Sequence, residues 1–393
     1  MIDFSLSPAV QKSRDMMHSV ADGTMRPISR KYDEREHEKP TKWLNMMWNA
    51  SKNIVSFGDE KQKQEPQEKT DRPPSERNVR SAILVEELSW GDVGLYLSIP
   101  HPGLGGAAVA AAGTPEQKER FLARFRDGEP KWGAMAITEP GCGSDSAAVA
   151  TTADQDGDQW VLNGTKIFCT SGLMAAEKSE GFIVVWATVD KSAGRGGIKA
   201  FVVDHHTPGM TVAKIEDKMG IRVSDTAMLV FDDCRIPVDN LLGSAEVRQS
   251  TQGFKGVMAT FDATRPLVAA SALGIARAAV DYVRDIFKQE GITIRYTTPS
   301  TKLSTLERDF MDMEASLQAA RLLTWRAAWM LDQGIHNSLE ASMAKAKAGS
   351  RRAARIAMMA MTTSSSIRVN PNRRRCPAGC FVFMVPFWPS GPC

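Results

Sequence analysis

Apolar residues follow a helical period at both ends of the chain and gather into short runs in the middle. Val10, Met16, Met17 and Val20 recur among polar residues and predict helix over residues 5–36. Residues 58–77 are charged, contain prolines and present no apolar face, which reads as a solvated loop or linker. Helical spacing resumes at Val79, Ile83, Leu84 and Leu88. Another helix starts within 113–125, with Thr114 placed to cap it and Pro115 suited to its first turn. Near Trp132 the period changes. The runs WGAMAIT, WVLNGTKIFCT, GFIVVWATV, IKAFVVD and TAMLVFDDCRI are rich in β-formers and separated by Gly, Asn and Asp. After Gly243 the helical period returns, in a long Ala-rich amphipathic stretch over 261–289 and two more over 303–334 and 338–360. The last 31 residues have no helical period, five prolines and an Arg cluster, and read as irregular. The pattern predicts an α+β chain. Residues 1–131 form an N-terminal α-helical domain, 132–244 a middle antiparallel β domain, 245–362 an incomplete C-terminal helical bundle and 363–393 an irregular tail.

The length of 393 residues fits two or three modules. A hydrophobic share of 42% and a charged share of 24% exclude collagen, wholesale disorder and a disulfide-framework miniprotein. No run approaches the ~18 consecutive apolar residues of a membrane span, so no membrane insertion is expected. The first residues lack a basic segment followed by an apolar one, so no signal peptide is expected and a cytoplasmic location is. A net charge of +3 is too mild to imply nucleic acid. Cys142, Cys169 and Cys234 are widely spaced and read as reduced thiols. Cys376 and Cys380 lack a second ligand pair and the histidines end at His336, so no metal site is expected. Charge is uneven: Glu340 is the last acidic residue, and nine Lys or Arg follow it.

Several segments carry candidate chemistry, each beside a plainer explanation. Gly103, Gly105 and Ala108 have the spacing of a dinucleotide fingerprint, with LYLSI as the strand it would need; the plainer reading is a Gly-rich helix-packing segment. AITEPGCGSD (136–145) follows an apolar strand with two glycines and the hydroxyls of Thr138 and Ser144. It suits a polar planar ring or a phosphate, or is an ordinary turn capped by Ser144. Phe168 stands two residues before Thr170, an aromatic face beside a donor, or a core Phe and a strand end. Arg222, in a Gly turn, reads as a surface charge of a hairpin. Asp262 and Arg265 share a helical face near a presumed helix start, where they hold a polar ligand or each other.

Taken in order, GTPEQKERFL, AITEPGCGSD, WVLNGTKIFCTSG, KMGIRVSDT, FDDCRIP and FDATRPLVAASALGIARAA resemble the acyl-CoA dehydrogenase family, the last segment most like its medium-chain branch. The likeness runs over residues 5–360. It implies FAD, an acyl-CoA substrate, an electron-transfer flavoprotein as acceptor and a homodimer or homotetramer. The implied reaction is removal of the α-proton by a carboxylate with hydride transfer from the β-carbon to flavin N5. On this resemblance Met135, Ile137, Thr138, Gly143, Ser144, Phe168, Cys169 and Thr170 contact the cofactor. Phe168 takes the place of a usual Trp, and Thr170 reaches N5. Ser144, Asp262, Thr264 and Arg265 contact the CoA part. Three departures stand out. The Arg-x-x-Phe-Gly segment for the FAD diphosphate is not evident, with Arg295 a poor substitute; the Gly-Gly-x-Gly segment is missing; and no acid follows Glu340 to act as base. The alternative position of the base carries Thr264, which cannot serve. Sequence after about Met361 reads as out of register with the family. This leaves a non-catalytic flavin or acyl-CoA binder, or a related flavin oxidase or monooxygenase, as alternatives.

Overall fold

A computed structural model of the protein describes residues 5–51, 75–244, 246 and 252–349. Of the charged stretch 58–77, residues 58–74 lie outside the described residues and Arg77 already opens a helix; the chain from residue 350 onward, with the tail, lies outside them too. Helix α1 (Pro8–Val20) opens on Ser7, whose hydroxyl accepts from Val10 N at 3.4 Å. It runs through a π-turn (Ala21–Met25) into α2 (Arg26–Glu34), so the helix predicted over 5–36 is one run with a widened turn inside it. Helices α3 (Thr41–Ser51), α4 (Arg77–Ser98), α5 (Gly103–Ala112) and α6 (Pro115–Leu122) complete the N-terminal part. Thr114 and Gln117 form a reciprocal capping box at the start of α6, with Pro115 in its first turn, as the sequence predicts.

Helix α4 kinks at Asp92, whose backbone is extended (φ −169°, ψ 119°). The Asp92 carboxylate accepts from Leu95 N at 2.7 Å and recaps the second half. The other end of α4 has no side-chain cap of its own. Asp332, from a helix more than 250 residues away, accepts from Asn78 N at 2.8 Å and Val79 N at 3.1 Å instead. In LYLSI (95–99), the strand that a dinucleotide site would need, Leu95–Ser98 are helical and Ile99 caps the helix, so that reading falls. The Gly-rich segment is α5. A Cβ at Gly105 would lie 2.5 Å from the Ala134 carbonyl, so glycine lets the helix rest directly on the first strand.

The middle part is a seven-stranded sheet of β1 (Gly133–Ala136), β2 (Thr152–Asp156), β3 (Gln159–Thr170), β4 (Phe182–Thr188), β5 (Ile198–Asp204), β6 (Met210–Ile215) and β7 (Thr226–Pro237), in the order β1-β4-β2-β3-β7-β6 with β5 on β4. It is not wholly antiparallel: β1 runs parallel to β4 over Gly133–Ala136, which corrects the all-antiparallel expectation. Strands β4 and β5 are buried almost throughout, and Phe182, Val184, Trp186, Phe201 and Val202 form the sheet core. The long β3–β7 pair is irregular between Lys166 and Cys169.

The C-terminal part is α7 (Gln252–Gln289), α8 (Thr305–Asp332) and α9 (Ser338–Ala348). Asp262 and Arg265 therefore sit well inside α7, not near its start. Helix α7 is long and apolar enough to cross a membrane by length and composition, but it packs along α4, α8 and α9 and carries Arg277, Asp281 and Arg284. It contains Pro266, which lacks the N–H that would bond the Asp262 carbonyl one turn back. Asn337, 1% exposed in the α8–α9 link, points its amide at that carbonyl at 3.5 Å and donates to Ala327 O at 2.9 Å.

A buried ionic cluster ties the two helical parts together. Glu86 and Glu87 of α4 are 4% and 3% exposed. Arg277 of α7 forms a double bond pair with Glu87 at 2.6 and 2.5 Å, and Arg321 of α8 reaches Glu86 at 2.6 Å. His18 of α1 lies 2.9 Å from Glu87. Burial opposes ionisation of Glu87, but the Arg277 guanidinium outweighs it and holds the carboxyl below its ordinary pKa.

Candidate active site

Two of the segments singled out in the sequence meet at one edge of the sheet. The chain leaves β1 and turns sharply at Glu139–Cys142, where each residue's N–H donates to the other's carbonyl, at 2.9 and 3.0 Å. Glu139 is 6% exposed and acts as the anchor of the loop. Its carboxylate accepts from Ala150 N (2.8 Å), Thr151 N (3.0 Å), the Thr151 hydroxyl (2.6 Å) and Lys166 Nζ (2.6 Å). Lys166 is fully buried and also donates to Ile137 O at 3.2 Å. Burial alone would raise the Glu139 pKa, yet the bonds from Lys166 and Thr151 hold it below the ordinary value. With Glu139 pinned, Gly141, Gly143, Ser144 and Asp145 are pushed out as an exposed tip. A side chain at Gly143 would meet nothing within 4 Å, so the surface above the tip is open.

Strand β3 reaches the same place. Ile167 N donates to Thr138 O at 2.8 Å, which locks the strand to the loop. The irregularity in β3–β7 falls on the next residue. Phe168 takes a left-handed backbone (φ 59°), uncommon for a bulky side chain, and its ring is thrown out to 61% exposure. Neighbouring Cys169 turns inward: it is 1% exposed, its thiol faces Met135 O at 3.6 Å, and burial pushes its pKa well up. Ser171 is again left-handed (φ 58°). The hydroxyls of Thr138, Ser144 and Thr170 bond no other described residue. The edge thus presents an exposed aromatic ring, three unused hydroxyls and open space, supported from below by a buried ion pair.

Helix α7 borders this edge. Val257 and Phe261 join the cluster of Met135, Cys142 and Val149. Asp262 accepts from Arg265 at 2.7 Å and from the Ser338 hydroxyl at 2.9 Å, with His336 at 3.7 Å. The two residues hold each other, the plainer of the two sequence readings, though only one Arg265 nitrogen is used. The Thr264 hydroxyl turns back onto Thr260 O at 2.8 Å. Arg295 is engaged elsewhere, bonding Glu307 through two nitrogens at 2.7 Å each. Arg222 is not a free surface charge either; it grips Glu36 at 2.6 Å. Glu36, His37 and Asp217 offer metal-ligand atoms within 4.8 Å of one another, but Glu36 already accepts from Arg222 and from Lys218 N. Sequence reasoning missed Glu139 and Lys166 as the support of the site. The one signal was Lys166, four residues before Thr170, as the single charge in that strand.

Comparison with known proteins agrees with this architecture. The acyl-CoA dehydrogenase N-terminal, middle and C-terminal domain families match residues 75–129, 134–234 and 251–366. The mitochondrial short-chain specific acyl-CoA dehydrogenase of Bos taurus is 42% identical over 67% of this chain; the match spans 61% of the relative's own length. The short-chain specific acyl-CoA dehydrogenase of Clostridium acetobutylicum is 33% identical over 88% of this chain and 84% of its own. The solved butyryl-CoA dehydrogenase of Megasphaera elsdenii superposes with a TM-score of 0.74 at 31% identity, covering 94% of this chain and 90% of that one. Two of these are short-chain specific by name and the third is a butyryl-CoA dehydrogenase, whereas the α7 segment alone pointed to the medium-chain branch. With three domain families matched in order and a relative aligned over most of both lengths, the chain belongs to the acyl-CoA dehydrogenase family.

Proposed function

We propose that the chain binds FAD and an acyl-CoA thioester at the β1–β3 edge and carries out FAD-dependent α,β-dehydrogenation of the acyl group. The observation that carries this reading is the juxtaposition of the exposed Phe168 ring with the unused hydroxyls of Thr138, Ser144 and Thr170. The residues fit a planar, hydrogen-bonding ring. Met135, Ile137, Thr138, Gly143 and Ser144 supply one side, and Phe168, Cys169 and Thr170 the other. Cys169 contributes backbone only, because its thiol is buried. A flavin bound there supplies acceptance of the hydride from the β-carbon at N5. Phe168 and the loop tip orient the ring. Ser144, Asp262, Thr264 and Arg265 take the CoA arm, Arg265 through its spare nitrogens.

Removing the α-proton needs a base, and the chain offers none where the resemblance places it. Thr264 has no acidity to use, and no Asp or Glu follows Glu340. Asp262 stands two residues from Thr264 but is 8% exposed and held by Arg265 and Ser338. This favours a second reading, in which the chain binds flavin and acyl-CoA without turnover. An anaerobic titration of the flavin-loaded protein with acyl-CoAs of increasing length, starting from butyryl-CoA, separates the two. Bleaching of the oxidised flavin band supports dehydrogenation. An unchanged band with both ligands bound leaves binding alone. Failure to bind FAD overturns both. Family membership supports an electron-transfer flavoprotein as acceptor and a homodimer or homotetramer. Rapid reoxidation by oxygen would instead mark an oxidase.

A further inference from the structure

The segment that carries Phe168 and Thr170 is held from a distant part of the chain. Asp225, 3% exposed, precedes β7 and serves as its hub. Its carbonyl accepts from Ser171 N at 3.0 Å, and its carboxylate Oδ2 accepts from Leu173 N at 2.9 Å. The other carboxylate oxygen meets Lys39 Nζ at 3.0 Å, and the same ammonium donates to Val223 O at 2.7 Å. Lys39 lies in the short link between α2 and α3, 186 positions from Asp225 and outside the matched N-terminal domain family. That link is itself fixed: Glu36 accepts from Arg222 and from Lys218 N at 2.8 Å. Lys218 donates to Ser224 O and to the Thr226 hydroxyl, but not to the Asp225 carboxylate. Lys39 is thus the cation bonded to this buried carboxylate, while the Lys218 ammonium attracts it from beside Ser224 and Thr226 without bonding it.

We propose that Lys39 is a positioning residue for the flavin-facing segment 168–173, acting through Asp225. The inference rests on the reading that FAD lies on that segment. Two left-handed residues, Phe168 and Ser171, stand within four positions of each other, and such backbone persists only where its surroundings over-determine it. Asp225 supplies two of the bonds that do so, and Lys39 makes the charge of Asp225 tolerable in a dry site.

The test is Lys39→Met in the full chain, read first by amide exchange and then by FAD binding. The expected result is exchange at Ser171 and Leu173 at least about tenfold faster, with β4 amides unchanged. FAD should bind at least about tenfold more weakly, with a shifted visible spectrum of the bound flavin, and Lys39→Arg should recover most of both. Unchanged protection at 171 and 173 overturns the proposal. So does faster exchange there with wild-type FAD affinity and spectrum, which would make Lys39 a merely structural contact. Should β4 also lose protection, Lys39→Gln, which keeps a donor and removes the charge, takes its place under the same criteria. A wild-type chain that binds no FAD overturns the proposed function, while the exchange comparison still decides whether Lys39 orders the segment.

Discussion

At the scale of single residues, the candidate site is a matter of which polar groups are buried and which are left free. Glu139 and Lys166 form a pair that solvent does not reach, and removing one partner strands the other. Glu139→Ala is expected to cost about 3–5 kcal/mol, measured by equilibrium urea unfolding. Because the folded pKa of Glu139 lies below its ordinary 4.5, its contribution is fully present above that value. It is lost as pH falls through the lowered folded value. Stability measured against pH should therefore drop less between pH ~5 and ~2 in Glu139→Gln than in the wild type. Phe168 gives the opposite case. Its left-handed backbone costs about 1 kcal/mol, so Phe168→Asn should raise the thermal midpoint while weakening FAD binding. A variant that gains stability and keeps its FAD affinity would show that the ring has no part in the site. Thr138 and Ser144 drew attention in the sequence as hydroxyls in a Gly-rich turn, and Phe168 and Thr170 as an aromatic beside a donor, each with a plainer explanation; only the family resemblance joined the two segments into one expected site. Lys166 and Lys39 were not legible, because a lysine in a row says nothing about the carboxylate it meets 27 or 186 positions away.

At the scale of elements, the helices were easier to read than the strands. The Thr114 cap, the long α7 and the position of α9 follow from local spacing. Strand β2 gave no sign because TADQD is mostly polar, and in β6 the alternation of Met210 and Val212 is broken by an irregularity between Val212 and Lys214 before Ile215. The parallel pairing of β1 with β4 depends on a chain path of some fifty residues and no local pattern encodes it. Nor is the cap of α4 local. Asp332 closes the N-terminus of a helix that lacks its own capping side chain. Asp332→Ala should cost about 1–2 kcal/mol, and exchange of the Asn78 and Val79 amides should rise before that of the rest of α4. Equal exchange along the whole helix would mean that the end is held by packing instead.

At the scale of the whole molecule, the helical parts are joined by charge as well as by apolar packing. Glu86 and Glu87 are nearly inaccessible, and Arg277 and Arg321 come from two different helices to meet them. Arg277→Met leaves Glu87 with only His18 and should destabilise the protein by about 3–5 kcal/mol. Urea unfolding of Arg277→Met, Glu87→Gln and the double variant would expose the coupling; additive losses would mean that the pair does not act as a unit. The overall order of helices, sheet and helices was plain from hydrophobic period, whereas this cross-domain wiring had no counterpart in it. The π-turn at Ala21–Met25 has a further consequence. Ala21 and Met25 are both fully buried, and the turn rests against Gly91 at the α4 kink. Beyond it, Arg26 covers the Trp90 ring at 4.3 Å and Ser29 bonds Asp92. One residue more or less in a helix rotates everything after it by ~100°. The widened turn absorbs one such residue, so a related chain with an ordinary turn and one residue fewer here presents the same side chains to α4, and aligning it without a gap in this stretch pairs residues that never occupied the same place.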